Sequence, residues 1–300
     1  MIYKFESEIL GIGVECKTNE LLSSRSSFQI GGPAALTVLP RQKEEMIAVL
    51  NAVRRYDIKF VVIGNGSNIL FDDSGYDGVV ISTTNMREVA VEGTVMRAEC
   101  GASFIGMSIM AMKNQLTGLE FAYGIPGSCG GAVFMNAGAY GSEIAAVIDS
   151  VECYDINSGR VVELNRDELD MSYRHSAFMQ KDELIILSAT LDLAYGDVDS
   201  IKKAMVQNKQ NREAKQPLDK PNAGSIFKRH EQYAVSKIID DCGLKGYRIG
   251  GAQISEKHAG FIVNCGEATS NDVLELIAHI QKIILKKYGF EPECEIRYIR

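Results

Sequence analysis

The 300-residue chain is 46% hydrophobic and 24% charged with a formal net charge of −7, ordinary globular usage at a length that favours two or three subdomains over one small core. The acidic balance argues against a protein built mainly to hold nucleic-acid backbones, and no run approaches the roughly 18 apolar residues of a membrane span. The N-terminal MIYKFESEIL scatters its charges and has no signal-like apolar stretch, so the expectation is a soluble, cytoplasmic protein without membrane insertion.

In chain order, AALTVLP reads as a strand, and the following RQKEEMIAVLNAVRRYD places Met46, Val49, Leu50 and Val53 on one face of a helix. KFVVIG is a short buried strand that enters the glycine turn GNGSN, and GVVIST is another strand. Residues 86–100 read as a hairpin broken at Glu92-Gly93, residues 103–115 as a helix, and 150–164 as two strands joined at Asn157-Ser158-Gly159. After the strand LIILSATLDLAYG comes a polar helix, DVDSIKKAMVQNKQNREAKQP, capped by Asp or Ser and stopped by Pro217. Its basic residues read as a solvated face rather than a nucleic-acid surface. The last helix, SNDVLELIAHIQKIILKKYG, lines up Val273, Leu276, Ile277, Ile280, Ile283 and Ile284, stops at Gly289, and leads to a terminal strand CEIRYI.

Seven cysteines, at 16, 100, 129, 153, 242, 265 and 294, contain no Cys-x-x-Cys pair or zinc-like spacing. They read as reduced, mostly buried thiols, and no metal site is expected. Two glycine-rich stretches stand out, VVIGNGSNIL and GIPGSCGGAVFMNAGAYG. Neither fits the G-x-G-x-x-G dinucleotide fingerprint, because Ser67-Asn68-Ile69 follow Gly64-x-Gly66. A glycine turn after a strand nonetheless exposes backbone N–H groups that suit a pyrophosphate. Tight turns and close helix packing account for either stretch alone; together they favour an extended anionic cofactor.

Six ordered stretches, SSFQIGGPA (26–34), VIGNGSNILFDD (62–73), GLEFAYGIPGSCGGAVFMNAGAYG (118–141), SYRHSAF (172–178), PNAGSIFK (221–228) and EIRYI (295–299), resemble the UDP-N-acetylenolpyruvoylglucosamine reductase family over nearly the whole chain. The resemblance implies an α+β fold: a two-lobed FAD-binding domain of the vanillyl-alcohol-oxidase type, lobes 1–85 and 86–200, with a C-terminal α/β substrate domain, 201–300. It implies FAD held between Gly64, Asn65, Gly66, Ser67 and Asn68 on one wall and Pro126, Gly127, Ser128, Gly131 and Gly138 on the other. It further implies that NADPH reduces the flavin, which passes hydride to C3 of UDP-N-acetylglucosamine enolpyruvate, giving UDP-N-acetylmuramate for peptidoglycan.

Charge arriving on the enolpyruvyl group is relayed to its carboxylate, so the site needs cationic or acidic groups there and a proton donor beside C2. Arg174 offers a planar fork, with a surface salt bridge as its plainer explanation. Glu295 alternates with Ile296 and Tyr298 and reads from pattern alone as an exposed strand position. Ser225, outside any G-x-S-x-G elbow, reads alone as a turn residue. The resemblance makes Ser225 the donor to C2 and Glu295 an acid beside Arg174, the three brought together in a cleft.

The histidines, at 175, 230, 258 and 279, fall outside both presumed FAD walls, so the flavin is expected to be non-covalent. His258 reads as a satisfied core histidine and His279 as a structural one on the last helix. Where the family carries a proline and then a glycine after GSIFK, this chain has His230 and Gln232, which bears on the diphosphate and uridine contacts. One polar helix and a loop between Tyr195 and Gly224 imply the lidless second type. Another FAD oxidase or hydroxy-acid dehydrogenase of the same fold would keep the glycine walls without Ser225 and Glu295 together. A non-catalytic FAD-binding subunit would need none of the three.

Overall fold

Met46, Val49, Leu50 and Val53 are all buried on the inner face of the helix Lys43–Tyr56, as the 3.6-residue spacing requires, and the helix ends at Asp57 in the left-handed region. The computed structural model describes residues 1–300. It resolves into two units that interleave along the chain: one formed by Met1–Thr18, Leu36–Asn65 and Gly78–Asn211, the other by Asn19–Ala35, Gly66–Asp77 and Arg212–Arg300.

Most of the first sheet falls in the first unit: the strands Glu15–Thr18, Ala34–Leu39, Tyr76–Ser82 and Phe60–Ile63 lie side by side in that order, the last two parallel. A helix that the sequence reading did not single out, Ile2–Gly11, buries Phe5 and Ile9, and Phe5 meets Tyr56 edge-on. It has neither a capping side chain nor an acidic first turn, so its start carries none of the usual signals. A five-stranded antiparallel sheet follows, ordered Arg160–Asn165, Ile148–Asp155, Leu184–Asp192, Val95–Glu99 and Val89–Glu92. Both expected hairpins are present in it, their turns using Gly93 and Gly159 at positive φ. The expected helix Phe104–Lys113 is capped by Ser103, whose hydroxyl accepts from the Gly106 N–H. Phe104, Met107, Met96, Val151 and Leu187 belong to this unit's core.

The polar helix Val198–Lys215 buries little besides Ile201 and Met205, and Asp197 caps it by accepting from the Ser200 N–H. It and the loop that follows are all that separates Tyr195 from the strand Asn222–Ser225.

In the second unit, Asn222–Ser225, Phe261–Asn264, Ala252–Ile254 and Arg248–Ile249 form an antiparallel sheet. Its core takes Ile238 and Ile239 from the helix Val235–Asp241 and Val273, Leu276, Ile277, Ile280 and Ile284 from Ser270–Tyr288. Ile283 of the expected stripe is only partly buried. Arg297–Ile299 pairs in parallel with Ile69–Phe71. The terminal strand thus begins three residues later than Cys294. Cys294 instead bridges Phe227, and the Glu295 N–H donates to Ile226 O at 2.7 Å, so the chain changes partner before the parallel ladder starts. No helix is long and apolar enough to cross a membrane.

Candidate active site

The glycine-rich segments owe part of their composition to packing within the protein. A Cβ on Gly64 would stand 2.0 Å from Ser128 Oγ, and that buried hydroxyl already caps the short helix Cys129–Phe134 by accepting from the Gly131 N–H. The two preceding N–H groups of this helix are also committed, Cys129 to Ala102 O at 2.8 Å and Gly130 to Cys100 O at 2.7 Å. Ser128 and Gly131 therefore act on the segment's shape. Asn65 Nδ2 donates to Pro126 O at 3.1 Å, so the two glycine-rich stretches meet in the first unit. The fully buried thiol of Cys129 is pushed up to about 12 by desolvation and stays protonated.

Further along, Gly138–Ala139 and Ser142–Glu143 form a small hairpin whose turn residues Tyr140 and Gly141 both have positive φ. A Cβ on Gly138 would lie 2.6 Å from that of Glu143.

Arg174 stands beside this hairpin. It is the third residue of a tight turn, Ser172 to His175, closed by Ser172 N–H to His175 O (3.2 Å) and His175 N–H to Ser172 O (3.0 Å), and its φ is 53°. A non-glycine residue in the left-handed region is strained. The guanidinium is half-buried, packs over the Tyr173 ring and donates from Nη2 to Gly138 O at 3.1 Å and from Nη1 to Asn136 O at 3.4 Å. Arg174 is thereby tied to a residue of the expected second FAD wall.

The second unit assembles the remaining expected residues. Gly66 has φ 62°, and a Cβ there would lie 1.9 Å from Arg25 O, so only glycine fits. Its carbonyl accepts from the Ser27 N–H, while the N–H groups of Gly66 and Ser67 donate to no protein atom. Two successive uncommitted N–H groups on a glycine turn suit an anionic phosphate, so this turn fits the expected cofactor. Asn68 Nδ2 donates to Glu295 O at 3.0 Å, and Asn68 O accepts from the Arg297 N–H.

Ser225 ends a strand with a bulge between Asn222 and Ser225. Asn222 Oδ1 accepts from the Gly224 N–H at 2.9 Å and its amide ties down Pro217 O and Lys220 O, while Gly224 takes φ 80°. This turn re-aims Ser225 out of the regular pleat. Its hydroxyl makes only a long 3.4 Å bond to Phe227 O, which is easily exchanged for another acceptor. Ser225 and Glu295 are both half-buried and flank the Ile226–Glu295 hydrogen bond. Asn68, Ser225 and Glu295 are thus neighbours in one unit, and Arg174 with Gly138 in the other.

Two residues that the sequence reading did not name support these groups, Asn136 and Asn222. Asn136 is fully buried within the glycine-rich stretch, and its one visible signal is being a lone amide among apolar and small residues. The histidines have local partners. His258 accepts from the Gly260 N–H and is shifted down by burial; His230 stacks on Phe290 and Tyr233; His279 stacks on Tyr247. No three His, Cys, Asp or Glu side chains gather as metal ligands.

Residues 216–299 match the family model for the C-terminal domain of UDP-N-acetylenolpyruvoylglucosamine reductase, and residues 34–165 match that for an FAD binding domain. Among curated relatives, the UDP-N-acetylenolpyruvoylglucosamine reductase of Caldanaerobacter subterraneus subsp. tengcongensis is 47% identical, covering 94% of this chain and 92% of its own. The one from Latilactobacillus sakei subsp. sakei is 46% identical over 95% and 94%. The crystal structure of the Thermus caldophilus enzyme superposes with a TM-score of 0.81 at 30% identity, covering 96% and 99%. Physcomitrella patens BBE-like 1, at 13% identity and a TM-score of 0.50 over 64% of this chain and 44% of its own, shares the fold alone. The fold is a vanillyl-alcohol-oxidase-type FAD-binding domain joined to a C-terminal domain of the reductase type, as expected.

Proposed function

Because the chain belongs to the UDP-N-acetylenolpyruvoylglucosamine reductase family, we propose that it reduces UDP-N-acetylglucosamine enolpyruvate to UDP-N-acetylmuramate with NADPH, a cytoplasmic step of peptidoglycan precursor synthesis. The observation that carries this reading is the coverage of nearly the whole chain by relatives of one activity; the hydrogen bond of the Glu295 N–H to Ile226 O, next to Ser225, supports it. FAD, held non-covalently, supplies hydride transfer from NADPH to C3 of the enolpyruvyl ether when bound. The N–H groups of Gly66 and Ser67 would hold its phosphates. Gly64 would shape the first wall and Ser128 and Gly131 the second, with Asn65 and Asn68 completing the one and Pro126, Gly127 and Gly138 the other.

The protein's own part is electrostatic and acid–base. Arg174 receives the substrate carboxylate with its planar fork and stabilises the charge relayed onto it. Ser225 gives its hydroxyl proton to C2, a transfer that a weak acid makes only to the strongly basic carbon formed in the reaction. Glu295, in its acid form, donates to the carboxylate.

The test is rapid mixing of the FAD-loaded protein first with NADPH and then with the enolpyruvate substrate. Substrate-dependent reoxidation of the flavin is expected. Reoxidation by dioxygen or by a 2-oxo acid alone would favour an oxidase or a hydroxy-acid dehydrogenase of the same fold, and no reduction at all a non-catalytic FAD carrier.

A further inference from the structure

We propose that Asn136 is a positioning residue for the substrate-reducing half of the reaction, fixing Arg174 against the glycine-rich segment through one buried amide; this rests on the reading of Arg174 as the carboxylate clamp. Asn136 is 0% exposed, and its φ of 42° is in the left-handed region, which asparagine tolerates better than most residues. Its Nδ2 donates to Ser172 O at 2.8 Å, and its Oδ1 accepts from the Ala145 N–H at 3.2 Å. Its own carbonyl accepts from Arg174 Nη1.

Both ends of Arg174 consequently hang on this residue. The side-chain amide holds Ser172, the first residue of the turn that presents Arg174, and the main-chain carbonyl holds the guanidinium. The guanidinium is held by Gly138 O as well, which accepts from Nη2 at 3.1 Å. Ser176 Oγ donates to Phe134 O just beyond the turn, and His175 Nε2 lies 3.2 Å from a carboxylate oxygen of Asp170 whose side chain is 71% exposed, a surface pair of little strength. Removing the amide leaves the Ser172 carbonyl with only the His175 N–H of its own turn and takes from the Ala145 N–H its side-chain acceptor, which loosens the join between the two segments. The strained Arg174 backbone is then free to relax, and a clamp displaced by a fraction of an ångström loses its hold on the reacting geometry.

Two variants separate the amide from the backbone. Asn136→Gly keeps the left-handed φ and deletes both side-chain bonds. Asn136→Asp is nearly isosteric, keeps the acceptor for Ala145 and loses only the donor to Ser172, so it decides the matter if the glycine variant fails to fold. In the FAD-loaded full-length protein, each is expected to slow flavin reoxidation by UDP-N-acetylglucosamine enolpyruvate by about tenfold, the loss of one well-placed hydrogen bond, while reduction by NADPH stays within about twofold. Hydrogen exchange of the His175 amide should speed up in both. Asn136→Gly combined with Arg174→Lys should be no slower than Arg174→Lys alone, because the first change acts through the second residue. Equal slowing of both half-reactions, multiplicative effects in the double variant, or an unchanged His175 amide would overturn the proposal. An Arg174→Lys variant that reoxidises at the wild-type rate would mark the separate failure of the Arg174 reading and remove the basis for this one.

Discussion

Ser225 shows how a residue without a distinctive pattern acquires a role from its neighbours. The bulge between Asn222 and Ser225 interrupts the regular pleat and leaves the Ser225 hydroxyl with a single long contact, so Ser225→Ala removes a proton donor and almost no packing. Reoxidation of the reduced flavin by substrate should fall by roughly 10²–10⁴-fold, the range for a positioned acid, with the NADPH step unchanged; stopped-flow absorbance of the flavin reads both. Gly64 is the converse, a position whose small size serves the protein's own interior. Gly64→Ala forces a Cβ onto Ser128 Oγ and should cost about 1–3 kcal/mol in urea unfolding. Because the clash is with one side chain, Ser128→Ala should recover part of that loss, so the double variant should be more stable than the sum of the two singles. Simple additivity would show that the two residues do not interact. Glycine patterning in the sequence marked both stretches, but it could not say which glycines face a ligand and which face the fold. Gly64 and Gly66 are two residues apart, and both are required for close packing, against Ser128 Oγ and Arg25 O.

At the scale of elements, what was readable depended on local signals. The helix Ser270–Tyr288 carries a full apolar stripe, a capping box of Thr269 and Asp272, and Gly289 in the left-handed region at its end, and the sequence reading found it. The helix Ile2–Gly11 lacks those end signals and leaves no such trace in the sequence, and the terminal strand starts later than its pattern suggests because Glu295 is held by Ile226 and Asn68, contacts remote in sequence. The capping box also predicts a pH dependence. The Thr269 N–H first, and then the Gly251 N–H, hold the Asp272 carboxyl below the usual aspartate range. A carboxyl whose folded pKa is depressed stabilises the fold above its unfolded pKa, and that contribution is lost as pH falls through the folded one. Asp272→Ala should therefore cost about 1 kcal/mol at pH 7, and the gap to the wild-type urea midpoint should narrow as pH drops below the ordinary aspartate pKa. A gap that stays constant into acid would mean that the carboxylate's bonds contribute nothing.

For the whole molecule, the periodicities along the chain revealed most elements, but not that residues 19–35 and 66–77 join the C-terminal residues in one unit. Interleaving of this kind is decided by long-range pairings such as Arg297–Ile299 with Ile69–Phe71, which leave no periodic trace. The cofactor offers the corresponding test on the intact protein. The Gly66 turn offers uncommitted backbone N–H groups, the Cys129 thiol is buried and protonated, and three of the four histidines are engaged with local partners by stacking or a backbone hydrogen bond. The expectation is therefore a flavin held by hydrogen bonds without a covalent link. Acid precipitation should release all of it as free FAD in the supernatant. A reversibly bound ligand also stabilises the folded state by mass action, about 2.7 kcal/mol when its free concentration is 100-fold above Kd. The melting temperature should accordingly climb with added FAD and keep climbing logarithmically past saturation, while EDTA leaves both melting and turnover unchanged. Flavin retained in the acid pellet, or a melting temperature that ignores added FAD, would contradict non-covalent binding, and an EDTA-sensitive turnover restored by zinc would reveal a metal requirement that the side-chain arrangement does not provide for.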